Sequence, residues 1–487
     1  MLFGLTLIPV VAFAGYAVDY ANAYRVRAKL QNALDSATLA VGREVDAGTD
    51  SGAARQVGKD VLSANLGENF PAYSVNFQID GTLVTATADV DLPTYILGVI
   101  GHKKWDIGIT SVVNVSNGTI EVALVLDNSG SMSGSKIADL RDAAQSLTEI
   151  LFEAQRDTSG VSIGLVPFAG AVNVGTQHAN AVWMDTTGQS SIHFENFDST
   201  ARTRFQVFNA MRNTSWGGCV EVRPSPHDVT DSAPAGGDSL FVPYFAPDEP
   251  DSRDSRNSSS YTNNYLDDDE GSCPTPPNNE TQVQAQEKTC KYDNERSDSS
   301  SRGPNYRCTS RPILPLSDNE SEIVTAIQAM GANGMTNIHQ GLMWGWRVLS
   351  SDQPFTEGRT ENDATNRKFM VVMTDGKNTH TGRSHQNRSA FSAYGFSKNG
   401  RLRSPTSSTS NLESAMNTKT ETSCTNAKAS GITIYTIAVE VPDQATIDML
   451  RRCASGDQRA FSIEDSDALN DVFEAIADEI NKLRITS

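Results

Sequence analysis

No cysteine occurs among the first 218 residues, no Cys-x-x-Cys pair occurs anywhere, and none of the seven histidines stands at zinc spacing. Metal chelation is therefore a poor account of the six cysteines in the rest of the chain, Cys219, Cys273, Cys290, Cys308, Cys424 and Cys453. Their even number predicts disulfides in an oxidising compartment. Six cysteines allow 15 pairings. Closeness in sequence favours Cys273 with Cys290 and Cys424 with Cys453, leaving Cys219 with Cys308. Positive charge is also scarce, with 40 Lys and Arg against 59 Asp and Glu and a net charge of −19. Nothing here would neutralise phosphates, which excludes nucleic acid as a partner.

Charge of either sign is missing from residues 1–18, a run that reaches the lower limit of a membrane-spanning helix. The turn of a cleavage site does not come next. Asp19 instead opens a helical stretch in which Leu30, Leu34, Ala37 and Val41 recur at spacings of three and four. The expectation is an uncleaved transmembrane anchor over 1–18 running into an amphipathic helix; a cleaved signal peptide and a buried core helix are the alternatives. Arg25, Arg27 and Lys29 lie beyond the anchor, and the positive-inside rule would place that side in the cytoplasm. A basic leader upstream, lost from a start codon set too late, reconciles this with the disulfides.

The length of 487 residues suggests two or three units at roughly 150 residues each, and a hydrophobic fraction of 38% suffices for packed cores. From about 51 to 115 the helix gives way to strands: Tyr73 to Ile79 and Leu83 to Val90 alternate around the hairpin turn Asp80-Gly81, and Trp105 to Val115 has the same character. Beyond residue 118 the pattern changes. Ile120 to Leu126, Val161 to Phe168, Arg367 to Thr374 and Gly431 to Val441 are apolar runs of buried strands. Helical stripes over Lys136–Glu153, Glu320–Met330, Asn337–Leu349 and 469–483 alternate with them. Such alternation predicts an α/β fold with a doubly wound, mainly parallel sheet.

Residues 171–311 interrupt this pattern. Their second half, with Asp251-Ser-Arg-Asp-Ser-Arg and Leu266-Asp-Asp-Asp-Glu, is acidic and nearly free of aliphatics, so it cannot bury enough surface to fold alone. The first half holds Trp183, Phe194, Phe197, Trp216 and Phe241. The expectation is a long, partly disordered insertion pinned by cysteines. Arg383 to Met416, rich in Ser and Asn, is expected to be a second, exposed excursion.

The apolar run at 120–126 stops at Asp127 and delivers Asp127, Ser129 and Ser131 at alternate positions. A hard cation such as magnesium wants oxygen ligands, and alternate residues in an extended tip project to one side. Thr336 in Gly-Met-Thr-Asn and Asp375 in Met-Thr-Asp-Gly sit where a parallel sheet brings them close. The plainer reading of Asp127 and Ser129 is a loop capping the next helix, which does not predict Thr336 and Asp375 as well.

At these five residues the chain resembles the von Willebrand factor A domain, with its Asp-x-Ser-x-Ser loop, distant Thr and distant Asp. The resemblance implies a metal-ion-dependent adhesion site (MIDAS). In it Ser129, Ser131 and Thr336 ligate magnesium or manganese directly, Asp127 and Asp375 act mostly through water, and an open position accepts a partner's carboxylate. No charge beyond the two aspartates is obvious in the set, which favours an acidic ligand. The segment from Ala17 to Ala40 resembles the N-terminal region of TadG-type tight-adherence (Flp) pilus-assembly proteins. A long N-terminal helix followed by a small β-meander is similar to pilin-related architecture.

The expected organisation is thus an anchor at 1–18, a TadG-like helix and meander at 19–117, and an A domain at 118–487. The expected role is not enzymatic: a bacterial membrane-anchored, extracytoplasmic module binding pilus or envelope proteins through its metal. A structural scaffold with a non-essential metal is the first alternative. A metal-dependent phosphatase using Asp127, Ser129 and His339 or His380 is the second, although that chemistry wants an aspartate at 129. His339 reads as a helix-surface residue.

Overall fold

The computed structural model describes residues 2–46, 49–81, 83–114, 119–153, 160–251, 261–275, 277, 279–297, 301–363 and 365–485; of 2–14, 46, 99, 100, 114 and 482–485 it describes the backbone alone. The chain forms two compact units, Met1–Gly118 with Leu483–Ser487, and Thr119–Lys482.

In the first unit, helices α1 (Leu2–Asp46) and α2 (Ser51–Leu66) accompany an antiparallel sheet of β1 (Tyr73–Asp80), β2 (Leu83–Pro93) and β3 (Lys104–Asn114) in the order β1-β2-β3. Asp80 pairs with Leu83 across the hairpin, and Gly81 takes φ +58°, the left-handed turn conformation that glycine adopts without strain. Leu30, Leu34, Ala37 and Val41 are fully buried in one cluster with Leu62, Phe77, Val84 and Ala86, so the stripe read from the sequence is the core face of α1. Helix α2 replaces part of the strand-like section expected from residue 51. Asp50 caps it by accepting the N–H groups of Gly52 and Ala53, and its inward face is Ala54, Gly58, Leu62 and Leu66, a stripe too weakly apolar to stand out. Most side chains of the anchor expected at 1–18 lie outside the described residues. Among the described residues no helix is long and apolar enough to cross a membrane.

The second unit runs β4 (Thr119–Asp127), α3 (Ser135–Glu153), β5 (Val161–Phe168), β6 (Val172–Asn173), α4 (Arg204–Ala210), β7 (Cys219–Val220), α5 (Gln282–Glu287), β8 (Leu314–Ser317), α6 (Glu320–Gln328), α7 (Ile338–Leu349), β9 (Asn366–Thr374), α8 (Thr409–Ala429), β10 (Thr433–Val439), α9 (Gln444–Cys453), β11 (Ala460–Ile463) and α10 (Leu469–Ile485). Five strands are parallel in the order β11-β10-β9-β4-β5, and β8 pairs antiparallel with β5. From β4 the chain winds one way through β5 and the other way through β9 to β11. The boundary between β4 and β9 is therefore the switch point of the sheet, where α/β folds open a crevice beyond their strand ends. Helix α7 is buried on every side. It lies so close to the sheet that a Cβ on Gly345 would fall 2.4 Å from Val125 Cγ2.

The described residues of the insertion at 171–311 pack onto the sheet. Trp183, Phe208, Phe241, Phe245 and Tyr292 are buried in the same cluster as Val125, Val166 and Trp344. Polar groups are buried in partnership: Lys291 Nζ lies 2.8 Å from Asp248 and 3.2 Å from Asp268, and Arg204 pairs with Glu221. Disulfides Cys219–Cys308, Cys273–Cys290 and Cys424–Cys453 form, the pairing expected from proximity, and no cysteine is free. The excursion at 383–416 is not the exposed loop expected: Ala390, Phe391, Ala393, Tyr394 and Phe396 are buried, and α8 starts within it.

Candidate functional site

Asp127 is the last residue of β4 and fully buried. Ser129 N–H donates to one of its carboxylate oxygens at 2.7 Å, and the Thr374 hydroxyl donates to the other at 2.6 Å. Thr374 ends the neighbouring strand β9, so parallel pairing of β4 with β9 also carries Asp375 to this point. The Ser129 and Ser131 hydroxyls are 3.0 Å apart, and Ser131 donates to Asp375 Oδ1 at 2.6 Å.

Thr336 arrives on a third loop, which backbone bonds zip to the first. Gly130 N–H donates to Gly334 O at 2.9 Å, Asn333 N–H donates to Asn128 O at 2.8 Å, and the Asn128 amide donates to Gly331 O at 3.1 Å. Thr336 N–H donates to the Thr379 hydroxyl at 2.9 Å, and Thr379 N–H returns a bond to Thr336 O at 2.9 Å. A methyl added at Gly376 would sit 3.8 Å from Ser131 Oγ and 3.9 Å from Thr336 Oγ1. Both hydroxyls therefore open onto one spot beside Asp375, and all five residues singled out in the sequence meet at the switch point.

Burial pushes the Asp127 carboxyl up to about 7; the Thr374 bond opposes this and the Asp375 charge adds to it. Two buried carboxylates stand with the buried residues Ser129 and Thr336 and with Ser131, which is exposed. Among the described residues no group of three or more His, Cys, Asp or Glu side chains could hold a metal, so oxygen from hydroxyls is what this site offers.

Two residues were missed. Lys136 Nζ lies 3.1 Å from Asp375 Oδ2 and 3.1 Å from Glu440 Oε2, so the set has a positive neighbour that the sequence reading denied. Glu440 follows β10 at φ +49°, a left-handed conformation that costs a non-glycine residue strain. The signals were present: Lys136 is the first charge after the serine loop, and Glu440 stands at the carboxyl end of an apolar strand. The histidines also differ from expectation. His339 is fully buried and not on the surface, with Nδ1 2.6 Å from the Tyr394 hydroxyl. His380 is buried beside Ser392. Burial pushes both down to about 3, which makes them poor bases at neutral pH.

Residues 1–44 match the family described as putative Flp pilus-assembly TadE/G-like. Comparison with curated proteins gives no match. Among solved structures, the pilus adhesin SpaC of Lactobacillus rhamnosus GG aligns at TM-score 0.35 and 11% identity over 86% of this chain, which spans 36% of the length of SpaC. The von Willebrand factor domain of the type V pili tip protein Mfa5 of Porphyromonas gingivalis aligns at TM-score 0.35 and 11% identity, covering 76% of this chain and 97% of that one. Proximal thread matrix protein 1 of the mussel byssus, with a zinc-occupied MIDAS motif, aligns at TM-score 0.29 and 11% identity over 75% of this chain and 46% of its own. The chain is thus recognised by a TadE/G-like Flp pilus-assembly N-terminus and has, among its structural neighbours, the von Willebrand factor domain of a pilus tip protein.

Proposed function

We propose that Asp127, Ser129, Ser131, Thr336 and Asp375 hold one divalent cation, magnesium or manganese, and that the chain uses it to grip a carboxylate of a protein partner in pilus assembly or surface attachment. The observation that carries this reading is the convergence of two aspartates and three hydroxyls from three loops at the switch point of the sheet. The donor set suits a hard cation, which relieves the cost of two carboxylates held together out of water. When bound, such a cation supplies a Lewis-acidic position for an incoming acidic side chain. An enzyme is disfavoured because the two candidate bases, His339 and His380, are buried and engaged by Tyr394 and Ser392. The uncharged residues 1–18 anchor the chain in the bacterial cell membrane in this reading. Three disulfides suit the oxidising, extracytoplasmic side.

Thr336→Ala separates this reading from a scaffold with a dispensable metal. The mutant is expected to keep its thermal midpoint while losing pilus output or surface attachment; undiminished output in a metal-deficient mutant favours the scaffold. Lys136→Met tests the local charge. Removing a cation that competes for Asp375 should raise magnesium affinity roughly tenfold, since unit charges a few Å apart near a protein surface interact by a few kcal/mol before screening. Calorimetry on the full chain reads this directly, and weaker binding in the mutant means that Lys136 instead holds Asp375 in place.

A further inference from the structure

The loop joining β2 to β3, residues 94–103, has an unusual composition for a hairpin tip: Thr-Tyr-Ile-Leu-Gly-Val-Ile-Gly-His-Lys. Tyr95 is 74% exposed and Ile96 36%. In water such a tip is ordinarily polar, because exposed aromatic and aliphatic groups gain nothing there. This loop is fixed to α1 at one place. Asp19, 2% exposed, accepts the N–H groups of Tyr95, Ile96 and Leu97 at 2.9, 3.0 and 2.8 Å. One turn earlier, a Cβ on Gly15 would fall 2.3 Å from Ile96 Cγ2, so the helix lies directly against the loop.

Asp19 is also the first charge of the chain. Residues 2–18 would span about 25 Å as helix, close to the hydrocarbon thickness of a bilayer. Asp19 thus stands where an anchored helix leaves lipid, with its carboxylate turned onto backbone donors. At the same level Tyr16 and Tyr20, 48% and 52% exposed, stack at 5.9 Å, and Trp105 lies 6.2 and 6.4 Å from their rings. Lys103 is exposed beside them, as is Lys104, whose Nζ is paired with Asp91 at 2.8 Å and Asp106 at 2.9 Å. Tyr, Trp and Lys together at the end of an apolar helix are what the headgroup layer of a membrane accommodates, with rings at the interface and ammonium groups reaching water or lipid phosphate.

We propose that loop 94–103, with Tyr16, Tyr20 and Trp105, is a membrane-seated collar whose partner is the phospholipid headgroup layer of the leaflet from which α1 emerges. The proposal rests on the anchoring of residues 1–18. The collar holds the base of the first unit against the membrane surface, and Asp19 is the residue that ties loop to helix.

The test uses the full chain in vesicles of phosphatidylcholine and phosphatidylglycerol, with lipids brominated either near the headgroup or near the chain end. Trp183, Trp216, Trp344 and Trp346 are buried, so the difference between wild type and Trp105→Phe isolates Trp105. Shallow bromines should quench that difference about twofold more than deep ones. Tyr95→Trp, at an exposed position, should add emission quenched in the same order. It keeps the test open if Trp105→Phe fails to fold. A chain that does not float with the vesicles overturns the anchor and the collar with it. A chain that floats while neither tryptophan is quenched leaves the anchor standing and overturns the collar, pointing to a protein face as the cover of the loop.

Discussion

Asp127→Ala is expected to remove magnesium and manganese binding from the chain altogether, with no heat above dilution in calorimetry where the proposed site predicts one ion bound by the wild type. Asp127 is fully buried, one carboxylate oxygen accepting from Ser129 N–H and the other from the Thr374 hydroxyl. It therefore fixes the geometry of the serine loop as well as supplying charge. Alanine leaves Ser129 N–H without its acceptor, at a cost of about 1–3 kcal/mol, while the Thr374 hydroxyl keeps Gly376 O as an acceptor at 3.0 Å. Asp127→Asn is the companion, because its amide oxygen can still accept from Ser129 while the charge is gone. It should fold and bind at least about a hundredfold more weakly. Asp375→Ala should weaken binding less, since Ser131 and Thr336 remain in place. Unchanged heats in Asp127→Ala, with the fold intact, sink the metal assignment.

The second large effect lies in the insertion. Lys291 is wholly buried, its ammonium surrounded by Asp248 Oδ2 at 2.8 Å, Asp268 Oδ1 at 3.2 Å and the Ala285 carbonyl at 3.1 Å. Burial alone would discharge it; the charges of Asp248 and Asp268 more than offset this and hold it charged. Asp248 in turn accepts the N–H groups of Tyr265 and Leu266 at 2.6 and 2.9 Å, so the triad stitches together three stretches of chain. Lys291→Met leaves two carboxylates buried without their counter-ion and should cost about 3–5 kcal/mol in urea denaturation. Adding Asp248→Asn and Asp268→Asn should recover much of the loss, because a neutral polar cluster carries no unpaired charge. A loss below about 1 kcal/mol for Lys291→Met would mean that the insertion is not cooperative with the sheet.

The same triad explains which parts of the fold were legible in the sequence. The strands carrying Asp127 and Asp375 announce themselves because a strand buried on both faces must be apolar throughout, and a polar residue at its end marks where it leaves the core. Thr336 could be read because it stands in Gly-Met-Thr-Asn directly before a strongly apolar helix and fills the distant Thr position of the von Willebrand factor A resemblance. Order in the insertion could not be read, since counting apolar residues does not see charges that are buried in pairs. Arg204 with Glu221 and Lys291 with Asp248 and Asp268 each count against folding in composition and are among the most buried groups in the structure. His339 was misplaced for a related reason. A helix covered on one side by a sheet shows an outer face, but α7 is covered again by Trp183 and Phe241 of the insertion, whose rings lie 6.5 and 4.8 Å from Trp344. Lys136 and Glu440 needed the strand order itself, because only adjacency of β9 and β10 brings Glu440 toward Asp375.

The disulfide Cys219–Cys308 spans a sequence separation of 89 residues and closes the neck of the insertion, where the Asn173 amide also donates to Gly217 O and Ser310 O at 3.1 Å each. Under tension applied along the backbone, load passes through this covalent bridge and not around the loop it closes. The bridged segment, about 300 Å of contour at full extension, cannot be drawn out while the bridge is intact. A chain under load would therefore lengthen far less than its residue count implies, and reduction of Cys219–Cys308 would add most of that length, the shorter loop inside it staying closed by Cys273–Cys290.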